Sequence, residues 1–272
     1  MSNLSIGQYY PAKSVIHSLD PRFKLISSVL FLVCVFLVRD TIGFAVLFVS
    51  VLGLVRLANI PFRVVFKALR PVVFVLIFTS LISLFMTKGG PLLFHWKFIS
   101  IYEAGIYHVV FIAIRIFALV VGVCVLLTYT TTPIELTDGL ETLFKPLELL
   151  HIPVQYFAMM MALAIRFIPI LMEETDRIMA AQKSRGSDLD SRNVFTKIKS
   201  LMTVIIPLFV SSFRRADDLA IAMECRCYYC GKKRTRMRRL KSSVNDFMFI
   251  LLFVLFIVLV ILINKLKIGY SM

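Results

Sequence analysis

The sequence predicts an all-α membrane protein, with about five transmembrane helices and an inserted cytoplasmic region of long amphipathic helices. Three observations predict it. The 272-residue chain is 59% hydrophobic, with mean hydropathy +0.85 and only 17% charged residues, far too apolar for a soluble domain of this size. Apolar runs approaching the length of a bilayer crossing are separated by short polar breaks. Between residues 132 and 241 the pattern changes, and apolar residues alternate with charges at helical spacing. The chain thus divides into a four-span N-terminal region, residues 1–131, the inserted cytoplasmic helices, residues 132–241, and a C-terminal transmembrane helix, residues 242–272.

Residues 1–24 read as a cytoplasmic lead-in without the pattern of a cleavable signal peptide, so the first span is expected to insert and stay. Asp20 followed by Pro21 is an N-cap with proline at the first helical position, opening a helix that runs into apolar Leu25 to Val38. Arg39-Asp40-Thr41 breaks the run, and Ile42 to Ala58 follows as the second arm of a tight hairpin. Arg56, Arg63, Lys67 and Arg70 cluster around Pro61, which the positive-inside rule places in the cytoplasm. The third span is expected over Pro71 to Met86. Residues 87–105, broken by Gly89, Gly90 and Pro91 and carrying Trp96, fit an outer loop with an interfacial aromatic anchor. The fourth span, Ile106 to Thr128, returns the chain to the cytoplasm.

Thr132-Pro133-Ile134-Glu135 is a cap signal opening an amphipathic helix to Leu150, ended by His151-Ile152-Pro153. The next helix, Pro153 to about Ser184, is apolar first and charged later, so it starts at the membrane boundary and emerges into water. Another, from about Asn193 to Arg226, contains Pro207, which should kink it. Phe247 to Ile263 is the fifth span, and five crossings from a cytoplasmic N-terminus leave the C-terminus outside. The net charge of +15 follows topology: residues 129–246 carry 18 Lys+Arg against 13 Asp+Glu, and Gly231 to Lys241 has seven basic residues and no acid. Beside a span such a run signals topology and anchors anionic headgroups. It lacks the aromatic interleaving of a nucleic-acid site, and no nucleic-acid partner is expected.

The candidate functional residues are two helix tips, Ala181 to Gly186 and Ala222 to Cys227. Each has an arginine near the helix C-terminus, Arg185 or Arg226, with an Asp nine residues earlier, Asp176 or Asp217. For one helix, dipole compensation and a glycine cap explain such an arginine. The repetition argues for a doubled docking device, because a guanidinium at a helix end can donate bidentately to a partner's carboxylate. An antiparallel pair of such helices would set the tips on the order of 40 to 50 Å apart, a separation suited to two sites on a large partner.

Other signals are weaker. Cys225, Cys227 and Cys230 have no nearby fourth ligand, and small residues in a reduced compartment account for them better than zinc. Arg115, in the middle of the fourth span, is read as structural, with Glu103 only a distant counter-ion. No phosphate-binding glycine loop is present, the four histidines are scattered, and no catalytic set gathers in one compartment, so the chain is neither a motor nor an enzyme. Neither metal nor cofactor is expected on it.

His17 to Leu25 (HSLDPRFKL), the turn Thr130 to Pro133, Leu163 to Glu174 (LAIRFIPILMEE), Ala181 to Gly186 (AQKSRG) and Arg214 to Tyr228 (RRADDLAIAMECRCY) come in an order that resembles the transmembrane T component of energy-coupling factor (ECF) transporters, ABC-type importers of vitamins and transition-metal ions. The resemblance covers nearly the whole chain. It implies a non-catalytic scaffold in the cell membrane whose coupling helices sit on two ABC-type ATPase subunits, which bind ATP and Mg, and cradle a separate substrate-binding S component that sets selectivity. The family's small-Arg-small docking triplets map to Ser184-Arg185-Gly186 and Cys225-Arg226-Cys227, with Arg166, Glu174, Asp176 and Asp217 in support. Cys227 replaces the glycine that takes positive φ without strain, which leaves two endings open for that helix, at the triplet or later at Gly231. The rival readings are a self-sufficient secondary transporter, which would need mid-membrane acids or an inverted repeat, and a membrane-tethered regulator acting through the basic tail.

Overall fold

The computed structural model describes residues 9–12, 14–86, 89, 92–96, 99–150, 153–187, 193–228 and 243–266. Eight α-helices form among them: α1 (Pro21–Leu37), α2 (Thr41–Leu57), α3 (Phe62–Met86), α4 (Glu103–Val123), α5 (Pro133–Phe144), α6 (Val154–Ser184), α7 (Val194–Cys225) and α8 (Val244–Leu266). The class is all-α, with one exception. A short antiparallel hairpin, β1 (Leu92–Trp96) and β2 (Ile99–Tyr102), occupies the stretch expected to be an outer loop. The chain separates into two units, one of residues 1–154 and 240–272 and the other of residues 155–239.

Five helices are long and apolar enough to cross a membrane, but they are not the five the apolar runs single out. They are α3, α4 continued by its last turn to Thr128, α6, α7 and α8. At 17 residues each, α1 and α2 extend only about 26 Å against a hydrocarbon core of about 30 Å. The helix α3 starts at Phe62 rather than Pro71 and carries that proline in its interior, where one backbone hydrogen bond is forgone. The helix α5 stops at Phe144 and continues to Leu150 only as a 3₁₀ helix, because Pro146 has no amide hydrogen for the α pattern. A π-helical turn, Cys124–Thr128, ends α4.

Caps fall where the sequence places them. Asp20 caps α1, its carboxylate accepting from the Arg22 amide at 3.0 Å, and Thr132 with Glu135 forms a reciprocal capping box on α5. Asp20 also does something its own segment does not reveal. Its backbone amide donates to Asp246 Oδ1 of α8 at 3.0 Å, while Asp246 Oδ2 accepts from the Ser243 amide. Beside it, Lys24 is 1% exposed and donates through Nζ to the carbonyls of Thr130 (2.9 Å) and His17 (3.2 Å). Burial pulls the Lys24 ammonium down from its ordinary 10.5 to about 8, and the charges of Glu135, Asp20 and Asp246 offset only part of that effect. One buried knot thus joins the lead-in, α1, the turn before α5 and the start of α8.

The core above the knot is aromatic. Phe31 is fully buried, meets Phe253 edge to face, and lies so close to Gly122 that a Cβ there would come within 2.1 Å of its ring. Phe44 of α2 stacks on Phe111 of α4, and the Arg115 guanidinium sits 5.2 Å from the Phe44 ring centroid while donating to the Val38 carbonyl at 3.0 Å. Arg115 therefore caps the C-terminal end of α1, which accounts for a cation in so apolar a helix. Glu103, twelve residues away on α4 and so about 18 Å distant, is not its counter-ion.

Two variants test this packing. Gly122→Ala should destabilise the purified chain by about 1–3 kcal/mol through overpacking against Phe31, while Gly53→Ala, whose Cβ meets nothing, should be neutral or slightly stabilising in the same thermal melt. Asp246→Ala should cost about 2–3 kcal/mol by stranding the Asp20 amide and removing one counter-charge from Lys24.

Candidate docking tips

Residues 155–239 contain the two long helices that carry the tips. Asn193 caps α7, its side chain accepting from the Phe195 amide at 3.3 Å. Two contacts tie α6 to α7. Arg215 lies 3.6 Å from Glu174, and the Tyr228 hydroxyl donates to Met159 Sδ at 2.7 Å. Moving fifteen residues back along α6 corresponds to moving thirteen forward along α7, so the pair is antiparallel. That register sets Arg226 beside residues 161–162 of α6, some 24 residues before Arg185, which is on the order of 35 Å along the axis. The separation is shorter than full antiparallel overlap would give, because Tyr228 holds the end of α7 short of the α6 N-terminus.

The two ends are built alike. At the end of α6, the Gly186 amide donates to the Lys183 carbonyl (3.0 Å), the Ser187 amide to the Gln182 carbonyl (3.0 Å), and Gly186 has φ +83°. At the end of α7, the Cys227 amide donates to the Glu224 carbonyl (2.9 Å), the Tyr228 amide to the Met223 carbonyl (3.0 Å), and Cys227 has φ +58°. Both are Schellman endings with the arginine as the C-cap residue and the third member of the triplet in the left-handed region. Of the two endings open for α7, the structure takes the one at the triplet. The helix closes at Cys225 despite a left-handed cysteine, which costs about 1–2 kcal/mol relative to glycine, while Cys230 and Gly231 lie outside the described residues. The same ending closes α2, with Asn59 at φ +53°, so cysteine alone of the three is poorly suited to its position.

All six triplet residues are exposed. The Ser184 hydroxyl donates back to the Ala180 carbonyl of its own helix, and neither Arg185 nor Arg226 forms an ion pair among the described residues. Their guanidinium groups therefore stand ready at helix ends for an external acceptor. The supporting residues divide. Glu174 holds the helix pair through Arg215, whereas Asp176, Asp217 and Arg166 are exposed and the structure brings none of them to an arginine tip. Nine residues at 100° each turn Asp176 and Asp217 half a revolution away from Arg185 and Arg226, so they face opposite sides of their helices. Tyr228 and Met159, which orient the second tip, carry no signal of their own in the sequence. Cys225 and Cys227 are free thiols, and no cluster of three metal-ligating side chains forms among the described residues.

Cys227→Gly should relieve the left-handed strain, stabilising the end of α7 by about 1 kcal/mol, read as slower amide exchange at residues 223–228. Cys227→Val, β-branched at positive φ, should speed that exchange.

The sequence is similar to those of known proteins. Residues 12–237 match the CbiQ family, described as cobalt transport protein. The chain is 46% identical over 248 residues to the energy-coupling factor transporter transmembrane protein EcfT of Clostridium kluyveri, covering 91% of this chain and 92% of that one. It is 44% identical over 246 residues to EcfT of Bacillus subtilis (90% and 92% covered) and 42% identical over 245 residues to EcfT of Staphylococcus aureus (90% and 91%). With five helices fit to cross a membrane, a family match over most of its length and relatives of this similarity, the chain belongs to the EcfT/CbiQ family and is a multi-pass transmembrane component of an energy-coupling factor transporter.

Proposed function

We propose that this chain is the scaffold through which two ABC-type ATPase subunits drive a separate substrate-binding S component, with Arg185 and Arg226 as the docking residues. The observation that carries the reading is the pair of equivalent tips. One backbone motif presents one exposed arginine at each of two helix ends, about 35 Å apart, as two copies of one groove on an ATPase pair would require. Each arginine would donate to a carboxylate in its groove, and ATP with its Mg stays on the ATPase subunits.

The helices between the tips suit a lever. At 31 and 32 residues, α6 and α7 are about 47 Å long, each with a proline in its interior (Pro169, Pro207), and they meet through Arg215–Glu174 and Tyr228–Met159, so a displacement at one tip is passed to the other helix through those contacts. Along α7, Phe195, Ile198, Met202, Ile206, Phe209 and Phe213 fall on one face and are all exposed, from 48% at Met202 to 86% at Phe195. In this reading α6 and α7, although long and apolar enough to cross a membrane, lie with both tips on the cytoplasmic side of the cell membrane, and that stripe meets the apolar S component. The use of Arg115 to cap α1 removes that cation from any path a self-sufficient secondary transporter would need.

Arg185→Ala and Arg226→Ala should each lower recovery of the ATPase subunits with the tagged chain, and lower coupled uptake, by at least tenfold; the double variant should abolish both. Affinity capture from native membranes in mild detergent, with mass spectrometry of the co-purifying proteins, reads the first effect. Full recovery and uptake in the double variant would reduce the tips to ordinary helix ends.

A further inference from the structure

The lead-in and the end of α2 border an open surface hollow of about 770 Å³, lined by Ser14, His17, Ser18, Arg56, Leu57 and Asn59, that neither the tips nor the knot uses. Its walls are fixed. The His17 ring is held between the Tyr10 carbonyl (2.9 Å) and Ser14 Oγ (2.7 Å), and the left-handed Asn59 closes α2 beside it. Its charge is unbalanced. Arg56 forms no ion pair among the described residues, and Arg63, Lys67 and Arg70 follow, exposed on one face of α3, likewise without an ion pair there. From Thr41 to Tyr102 the sequence contains no Asp or Glu, so nothing local neutralises these four cations. The negative end of the α2 dipole is offset by Arg56 in its last turn and by the N-terminus of α3, which starts three residues after Asn59.

Beside this polar, cationic hollow the surface is apolar. Val15 and Leu57, both lining it, are 58% and 56% exposed, and Phe62 and Phe66 on the flank of the basic face of α3 are 54% and 70% exposed. A basic face flanked by aromatic residues, at the point where helices enter their apolar stretch, is the pattern of a segment seated at a lipid–water interface. We propose that this hollow binds the headgroup of an anionic phospholipid. Arg56 engages the phosphate, and the acyl chains lie along Leu57, Val15 and the phenylalanine flank of α3. A bare phosphate would share the arginine but leave the apolar edge without a role.

The test uses the full-length chain in mild detergent with dioleoyl phosphatidylglycerol, dioleoyl phosphatidylcholine and inorganic phosphate as separate probes. Native mass spectrometry reads bound lipid per chain, and the thermal midpoint reads stabilisation. Phosphatidylglycerol should be retained about tenfold more tightly than phosphatidylcholine and should raise the midpoint. Arg56→Gln should weaken that retention about tenfold and lower the lipid-free midpoint only by the small loss of its contact with the α2 dipole, and neutralising Lys232, Lys233 and Arg234 should leave the retention intact. Leu57→Glu, an exposed position, gives a second variant with the same expected loss. The proposal is overturned if phosphatidylglycerol binds either variant as it binds the wild type, if inorganic phosphate gives the same shift as the lipid, or if only the Lys232–Arg234 variant releases it.

Discussion

A chain this apolar must satisfy its own helix ends, because the first amides and last carbonyls of each helix have no partner within the helix and little water to replace one. Most of the specific contacts in the structure answer that demand. Asp20, Thr132 and Asn193 cap three N-termini. Left-handed residues at Asn59, Gly186 and Cys227 close three C-termini. Where no local residue serves, a distant one does: Arg115 donates to the Val38 carbonyl, Asn264 to the Leu37 carbonyl, and Lys24 to that of Thr130. The last carbonyls of α1 thus hold α4 and α8 in place, so satisfying a helix end and fixing the packing are one act.

The same economy produces the tips. A Schellman ending spends two amides on two carbonyls and leaves the C-cap side chain pointing away from the helix, free of local hydrogen-bonding duty. Arginine at that position is repelled by nothing, since it sits at the negative end of the dipole, and its fork suits a carboxylate. The left-handed cysteine at the second tip tolerates strain to keep this geometry, which makes sense if the position of Arg226 matters more than the stability of the turn. Glu174–Arg215 and Tyr228–Met159 then link the two helices and set the register between their ends.

The N-terminal unit is anchored differently, through a buried charge cluster. Lys24 is almost fully buried, and removing any one of its acidic neighbours takes away part of what offsets that burial. The cluster gathers residues from both ends of the chain, and above it the space is filled by rings, with Gly122 admitting Phe31. The basic residues between Arg56 and Arg70 stand apart from this balance. They have no acids within their own stretch of sequence, and their compensation must come from outside it.

The sequence by itself determined the class, the helix identities and most caps, because apolar runs, proline positions and Asp-Pro or Thr-x-x-Glu signals act over a few residues. It also located both arginine triplets and, through its motifs, the family. It misjudged what depends on competition between neighbours: the α3 start, which runs through Pro71; the short α1 and α2; and the hairpin in place of a loop. Only the tertiary structure decided that α7 closes at Cys225, since a left-handed cysteine is disfavoured locally and persists because the Schellman bonds and the Tyr228–Met159 contact hold it. It alone decided the stagger that sets the tips about 35 Å apart, and that Asp20, Lys24 and Asp246 meet. Those pairings join residues far apart in sequence, where no periodicity or spacing rule reaches, and they are selected by which buried polar groups can be satisfied together.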